Sequence, residues 1–226
     1  MQLGVKRVSE NATVAVDAVA LAMDTIAQSV RIQIKKHQIF FKPEISEAAE
    51  MVYTMEIYID SGCRNLGTTR AIGSAAAILT NRGERSNKWT TDLHRGPRLP
   101  PPTIQRAELT SVILAIDIAT IQFEQLDTKP YLDVKIHSNS EYAIDCMTNR
   151  IHQCNRNGWM DDAGDEVENR DLMEKVLDLE DLLRDKGDVS YFLIPREENQ
   201  EATEFCNRAL DDQSRELGPE KHEPVA

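Results

Sequence analysis

The sequence predicts an α/β fold, with a five-stranded mixed sheet whose first three strands are antiparallel and whose faces are flanked by helices. Three observations predict it. Apolar residues alternate with polar ones from Tyr53, giving a strand period, and two further short strand-like runs follow at once. Leu109, Val112, Ile113, Ile116 and Ala119 then recur at helical spacing. Strand-like runs return at Leu132 and at Val189, each leading into a helical stretch. The order of three strands, helix, strand, helices, strand, helix fits a sheet with helices covering it. A length of 226 residues suits one domain with a sizeable core plus an extension.

Residues 1–50 are expected to form a partly helical N-terminal extension. Between Val14 and Ile34 the apolar residues Val19, Met23, Ile26 and Val30 fall three or four apart. Phe40, Phe41 and Pro43 close that run, because a proline biases the residue before it towards extended backbone. The apolar stretch Ala18 to Met23 is bounded by Asp17 and Asp24 and is far shorter than the roughly 20 residues a bilayer span requires. Lys6 and Arg7 lead into Ser9, Glu10 and Asn11 instead of the apolar core of a signal peptide. The expectation is an intracellular protein, nuclear or cytoplasmic, with no membrane partner.

Residues 51–214 are expected to form the main domain. The first strand places Tyr53, Met55, Ile57 and Ile59 on one side, with Asp60 just beyond and Gly62 and Gly67 breaking the run. Ala71 to Leu79 and Lys88 to Leu93 read as the next two strands, and Asn81-Arg82-Gly83 as the hairpin turn between them. Pro97 to Pro102 closes this meander, and the first helix runs to about Phe123 with Glu108 near its first turns. Leu132 to Ser138 is the fourth strand; Ser140, a good helix-capping residue, opens a short helix. Arg170 to Asp185 is helical, Val189 to Ile194 is the fifth strand, and Asn199 to Leu210 is the last helix. Residues 215–226 read as a disordered tail.

Composition excludes several classes. An apolar fraction of 41% and the absence of any C-x-x-C spacing among Cys63, Cys146, Cys154 and Cys206 exclude wholly disordered, disulfide-scaffold and zinc-ribbon proteins. A net charge of -12 repels phosphate, so nucleic acid would have to meet a local basic patch. The stretch Asn81 to Arg106 offers one, with six basic residues against two acidic ones that could meet phosphate or the protein's own acidic segment, but solvated surface charge is the favoured reading.

Asp60 and Asn139 both stand at carboxyl ends of predicted strands, where open α/β sheets collect their ligands. Taken alone, Asp60 reads as a turn-capping residue and Glu108 as a helix-start acid. Four strings change that balance: Asp60-Ser61-Gly62-Cys63-Arg64-Asn65-Leu66-Gly67, Gln105-Arg106-Ala107-Glu108-Leu109, Ser138-Asn139-Ser140-Glu141-Tyr142-Ala143-Ile144 and Asn199-Gln200-Glu201-Ala202-Thr203. In this order, with these strand and helix contexts, the chain from Tyr53 to Leu210 resembles type 1 ribonuclease H. Gly158-Trp159, Val167 to Leu172 and Ile194 to Glu197 are similar to the form found in fungal members.

The resemblance implies an RNase H-like fold and cleavage of the RNA strand of RNA/DNA hybrids by four acidic residues and two magnesium ions. Two-metal cleavage of this kind needs converging carboxylates around cations about 4 Å apart. The first acidic position falls on Asp60 and the second on Glu108. The third falls on Asn139 and the fourth on Thr203, both neutral. The metal ligands implied are therefore Asp60, Glu108 and Asn139, holding one magnesium ion or none. Glu141, Glu201 and Glu204 lie within two residues of the altered positions, but helix geometry turns neighbours about 100° apart.

Nucleic-acid contacts are implied at Gly62, Cys63, Asn65, Gln105 and Arg106, and Ile104 brings an apolar side chain where the family has a polar one. Around Trp159 the resemblance implies a basic segment, yet Gly158 to Asn169 carries five acids and no Lys or Arg, so Trp159 reads as a loop anchor more readily than as a stacking surface. The functional expectation is an RNase H-type endonuclease domain with impaired or lost catalysis. The alternative is a noncatalytic module binding nucleic acid or a protein partner, and a retroelement remnant stays open as a third reading.

Overall fold

The computed structural model describes residues 51–80, 86–93, 99–161 and 163–218. The expected N-terminal helix, the turn at 81–83 and residues 219–226 of the tail lie outside the described residues. Five strands form one sheet in the spatial order β3-β2-β1-β4-β5: β1 (Val52–Arg64), β2 (Ile72–Thr80), β3 (Ser86–Asp92), β4 (Tyr131–Ser138) and β5 (Gly187–Leu193). The first three strands pair antiparallel, and β4 and β5 join the other side of β1 in parallel, as the element order predicts. Parallel neighbours need crossovers, and the helices supply them.

Helix α1 (Ile104–Glu124) connects β3 to β4. Thr103 caps it, its hydroxyl accepting from the Arg106 N–H at 3.2 Å. The expected stripe of Leu109, Val112, Ile113, Ile116 and Ala119 is buried, and Ala107, Ala115, Ile118 and Phe123 are buried too. The apolar band is that wide because α1 packs on β1 and β2 and also on helix α4 (Arg170–Arg184). After β4 come α2 (Glu141–Asp145), a π-helical turn over Cys146–Arg150 and α3 (Ile151–Arg156). The last helix, α5 (Gln200–Glu216), covers the opposite face of β1 and β2.

Two element boundaries differ from expectation, each for a physical reason. Gly62 does not end β1: Gly62, Cys63 and Arg64 stay paired with Ser74, Gly73 and Ile72. A Cβ at Gly62 would sit 2.9 Å from Leu210 Cδ1 of α5, so the glycine eases the helix-to-sheet contact and marks no break. The strand ends at Arg64, and the turn that follows uses positive φ at Asn65 (54°) and Gly67 (76°). Helix α5 also runs past Leu210 to Glu216, because its next inward position is Gln213. That amide is buried and donates to Gly73 O at 3.1 Å and Asp92 Oδ1 at 2.7 Å, so a polar residue continues an apolar face.

The core lies mainly between the sheet and α1. Met55, Ile57 and Ile59 of β1, Val134 and Ile136 of β4, and Leu109, Val112 and Ile116 of α1 are almost fully buried there. β2 is buried on both faces, which is why it carries three small residues, Ala75, Ala76 and Ala77, between two helices.

Candidate active site

The site grows out of the parallel pairing of β1 and β4. Ile59 is registered opposite Ser138, so the next residues on the two strands, Asp60 and Asn139, stand side by side where the strands meet solvent. Asp60 itself remains paired with Ala76 of β2. Glu108 approaches from the second turn of α1, which packs on β1 and β2. Ser140 fixes it: the Ser140 hydroxyl donates to Glu108 Oε1 at 2.7 Å and accepts from the Ala143 N–H at 3.0 Å. One side chain thus caps α2 and orients a carboxylate of another helix.

Burial raises the pKa of the Glu108 carboxyl, and the charge of Asp60 pushes the same way, against the Ser140 hydrogen bond that favours the ionised form. Burial and the Glu108 charge push the Cys63 thiol up to about 11. Burial and the Asp60 charge, with Cys63, push the Cys206 thiol up to about 12. These couplings put Asp60, Glu108, Cys63 and Cys206 in one electrostatic neighbourhood. The two thiols are protonated at neutral pH and are poor nucleophiles or metal ligands.

Asn139 does not face the site unattended. Asn199, 1% exposed, donates from Nδ2 to Ile59 O at 2.8 Å and to Asn139 Oδ1 at 2.5 Å. The sequence placed Asn199 at the start of the last helix and of the fourth motif string without giving it a role; its side chain makes no capping bond. Thr203 follows one turn later on α5, its N–H donating to Asn199 O at 3.0 Å. Thr203 Oγ1 and Asn199 Oδ1 are both buried and have no hydrogen-bond partner.

The neighbouring acids do not take over the altered positions. Glu201 is bound by Lys88 at 2.6 Å and Ser86 at 3.2 Å, Glu204 pairs with Arg208 at 3.3 Å, and Glu141 is exposed. Among the described residues no three His, Cys, Asp or Glu side chains converge as a metal site. The polar side chains gathered here, the Asp60 and Glu108 carboxylates and the Asn139 carbonyl, offer oxygen donors, the kind that suits magnesium.

The residues expected to touch nucleic acid lie apart in role. Gly62 lies beneath Leu210, and Cys63 is partly buried beside Gly73. Asn65 forms the turn after β1 with φ 54° and donates to Arg70 O at 3.4 Å. Gln105 is exposed next to Ile104, and both border an apolar groove of about 610 Å³ with Leu66, Pro101 and Pro102. Arg106 turns away from solvent: it forks onto Asp171 at 2.9 and 2.7 Å and donates to Asn169 Oδ1 at 3.2 Å. A bidentate carboxylate thus occupies the guanidinium at the position expected to touch nucleic acid. Within the basic stretch, both described cations, Lys88 and Arg106, are paired with the protein's own acids.

Trp159 is 6% exposed with φ 64°; its N–H donates to Cys154 O, its carbonyl accepts from Val167, and Arg170 lies 5.9 Å above the ring. It anchors the loop and offers no open face for a base.

The sequence pattern of the RNase H family matches residues 53–207. A protein named Ribonuclease H from Gluconobacter oxydans is 30% identical over 135 residues, which cover 59% of this chain and 77% of that protein. Ribonuclease H from Acidithiobacillus ferrooxidans is 28% identical over 120 residues; the match covers 53% of this chain and spans 64% of that relative's length. Among solved structures, LC9-RNase H1, described as a type 1 RNase H with the type 2 active-site motif, superposes with a TM-score of 0.55 at 20% identity, covering 72% of this chain and 74% of that one. That likeness shows an RNase H-like fold. Both sequence relatives are bacterial, so the fungal-type resemblance rests on the sequence motifs alone.

Proposed function

Because this chain belongs to the RNase H family, we propose that it is a type 1-like domain for RNA/DNA hybrids in which cleavage of the RNA strand is impaired or lost. Position 139 carries the reading. Where the family resemblance implies a carboxylate, Asn139 offers a neutral carbonyl that already accepts from Asn199. Thr203 repeats the loss of charge on α5. Two missing charges remove much of the attraction that offsets the dehydration of magnesium.

Asp60 and Glu108, with Asn139 as a neutral ligand, would hold one ion, which when bound supplies Lewis-acid stabilisation and a more acidic water. The chain's own part is to hold those two carboxylates. Asp60 is set by the β1–β4 register and Glu108 by Ser140. Hybrid affinity is weakened in the same reading, since Arg106 is occupied by Asp171 and Ile104 offers no hydrogen bond.

The test is RNA-strand cleavage in a hybrid with magnesium, comparing the natural chain, an Asp60→Ala, Glu108→Ala chain and an Asn139→Asp, Thr203→Asp chain. The natural chain is expected near the rate of the first variant, with activity gained in the second. A natural chain as fast as the re-acidified one refutes the loss of catalysis. A second reading, a noncatalytic module docking a protein, is favoured by the exposed Leu66 and Ile104 beside Pro101 and Pro102. Absence of hybrid binding in low salt would select it.

A further inference from the structure

We propose that Asn199 is a positioning residue that holds the side chain at position 139 and the end of β1 in register with the start of α5, so that the third acidic position keeps its support although it now carries Asn. This rests on the reading of Asp60, Glu108 and position 139 as one cation-binding centre.

The hydrogen-bond logic is closed. A backbone carbonyl only accepts, so the end of the Asn199 amide facing Ile59 O at 2.8 Å must be Nδ2. The same Nδ2 lies 2.5 Å from Asn139, which must then present an acceptor, Oδ1. Both hydrogens of Nδ2 are thereby used, one on the residue before Asp60 and one on position 139. Asn199 is 1% exposed and makes no capping bond, so its buried Nδ2 is given over to these two acceptors.

An amide N–H cannot tell the carbonyl of Asn from a carboxylate oxygen by shape, but it binds the charged acceptor more strongly. A carboxylate at 139 would give one oxygen to Asn199 and leave the other free. The three elements that carry Asp60, position 139 and Thr203 meet at this one amide.

Outer partners that orient ligands typically cost about 10- to 100-fold in metal affinity when removed. The experiment is Mn2+ binding, by calorimetry and by the electron paramagnetic resonance of free Mn2+, to the full natural chain, Asn139→Asp, Asn199→Ala and the double variant, with folding checked by circular dichroism. Asn139→Asp is expected to bind Mn2+ at least about tenfold tighter than the natural chain, and adding Asn199→Ala to lose about 10- to 100-fold. In the natural background Asn199→Ala should shift affinity by less than about threefold.

Equal losses in both backgrounds, no loss in either, or no gain from Asn139→Asp overturns the proposal. If Asn199→Ala does not fold, Asn199→Ser, whose hydroxyl is too short to reach both acceptors, takes its place in the same cycle. Hybrid cleavage at full rate by the natural chain would defeat the proposed loss of catalysis but would leave this affinity cycle to be decided on its own.

Discussion

A guanidinium grips phosphate and carboxylate with the same two-pronged geometry, and at position 106 the carboxylate has it. Arg106 has a side chain only 14% exposed, whereas that of Asp171 is 57% exposed. The hydrogen bonds from Arg106, its charge and two backbone N–H groups hold the Asp171 carboxyl below its ordinary value, outweighing burial. A depressed carboxylate contributes stability that is present above its unfolded value of 3.8 and is lost as pH falls through the lower folded value. Asp171→Asn should therefore lower stability by about 1 kcal/mol at pH 7, an amount kept small by solvent screening. Urea unfolding at falling pH should show the gap between variant and natural chain closing below pH 3.8; a gap that widened in acid would contradict the pairing. The resemblance implied a nucleic-acid contact at Arg106; the carboxylate that holds it lies 65 residues away in the chain.

At the scale of elements, the junctions matter more than the elements themselves. Ser140 joins β4 to α2 and also reaches Glu108 of α1, so Ser140→Ala removes a cap and a charge-assisted hydrogen bond together. A loss of about 1 to 2 kcal/mol is expected in chemical denaturation, with Ser140→Thr retaining most of it. A loss below about 0.5 kcal/mol would mean that the hydroxyl fixes neither group.

Gly187 opens β5 opposite Leu132, and a Cβ there would lie 1.8 Å from the Leu132 carbonyl oxygen. Because the obstacle is backbone, Gly187→Ala should cost about 3 kcal/mol or more, read as a fall in Tm. Gly62→Ala meets only the end of the Leu210 side chain and should cost less. If the two glycines proved equal, the packing of β5 on β4 would be looser than described.

Over the whole molecule, 38 acidic residues face 26 basic ones, and Lys88 and Arg106, the described cations of the basic stretch, are already paired. Each phosphate neutralised contributes about -0.9 to the slope of log K against log salt. Hybrid binding by this chain should therefore be weak and its slope no steeper than about -2. Fluorescence anisotropy between low and moderate salt measures it; a slope of about -5 would contradict this expectation.

The sequence by itself determined the order and type of every described strand and the main helices, because burial of one face imprints a period of two or of 3.6 along the chain. Its motifs also implied, by resemblance, that Asp60, Glu108, Asn139 and Thr203 stand at the family's acidic positions, two of them now neutral. Periodicity failed where a polar or small residue did the packing: Gln213 hid the end of α5, and Gly62 looked like a break while lying inside β1.

What only the tertiary structure decided is which atoms meet. Asn199 reaches Ile59 across 140 residues and Asn139 across 60, Glu201 turns to Lys88, and Ser140 reaches Glu108. Hydrogen bonds depend on distance and direction within tenths of an ångström, and nothing local to either residue encodes the place of its partner. Side-chain type is written in the chain; its partner is chosen by the sheet register and by the helices laid across it.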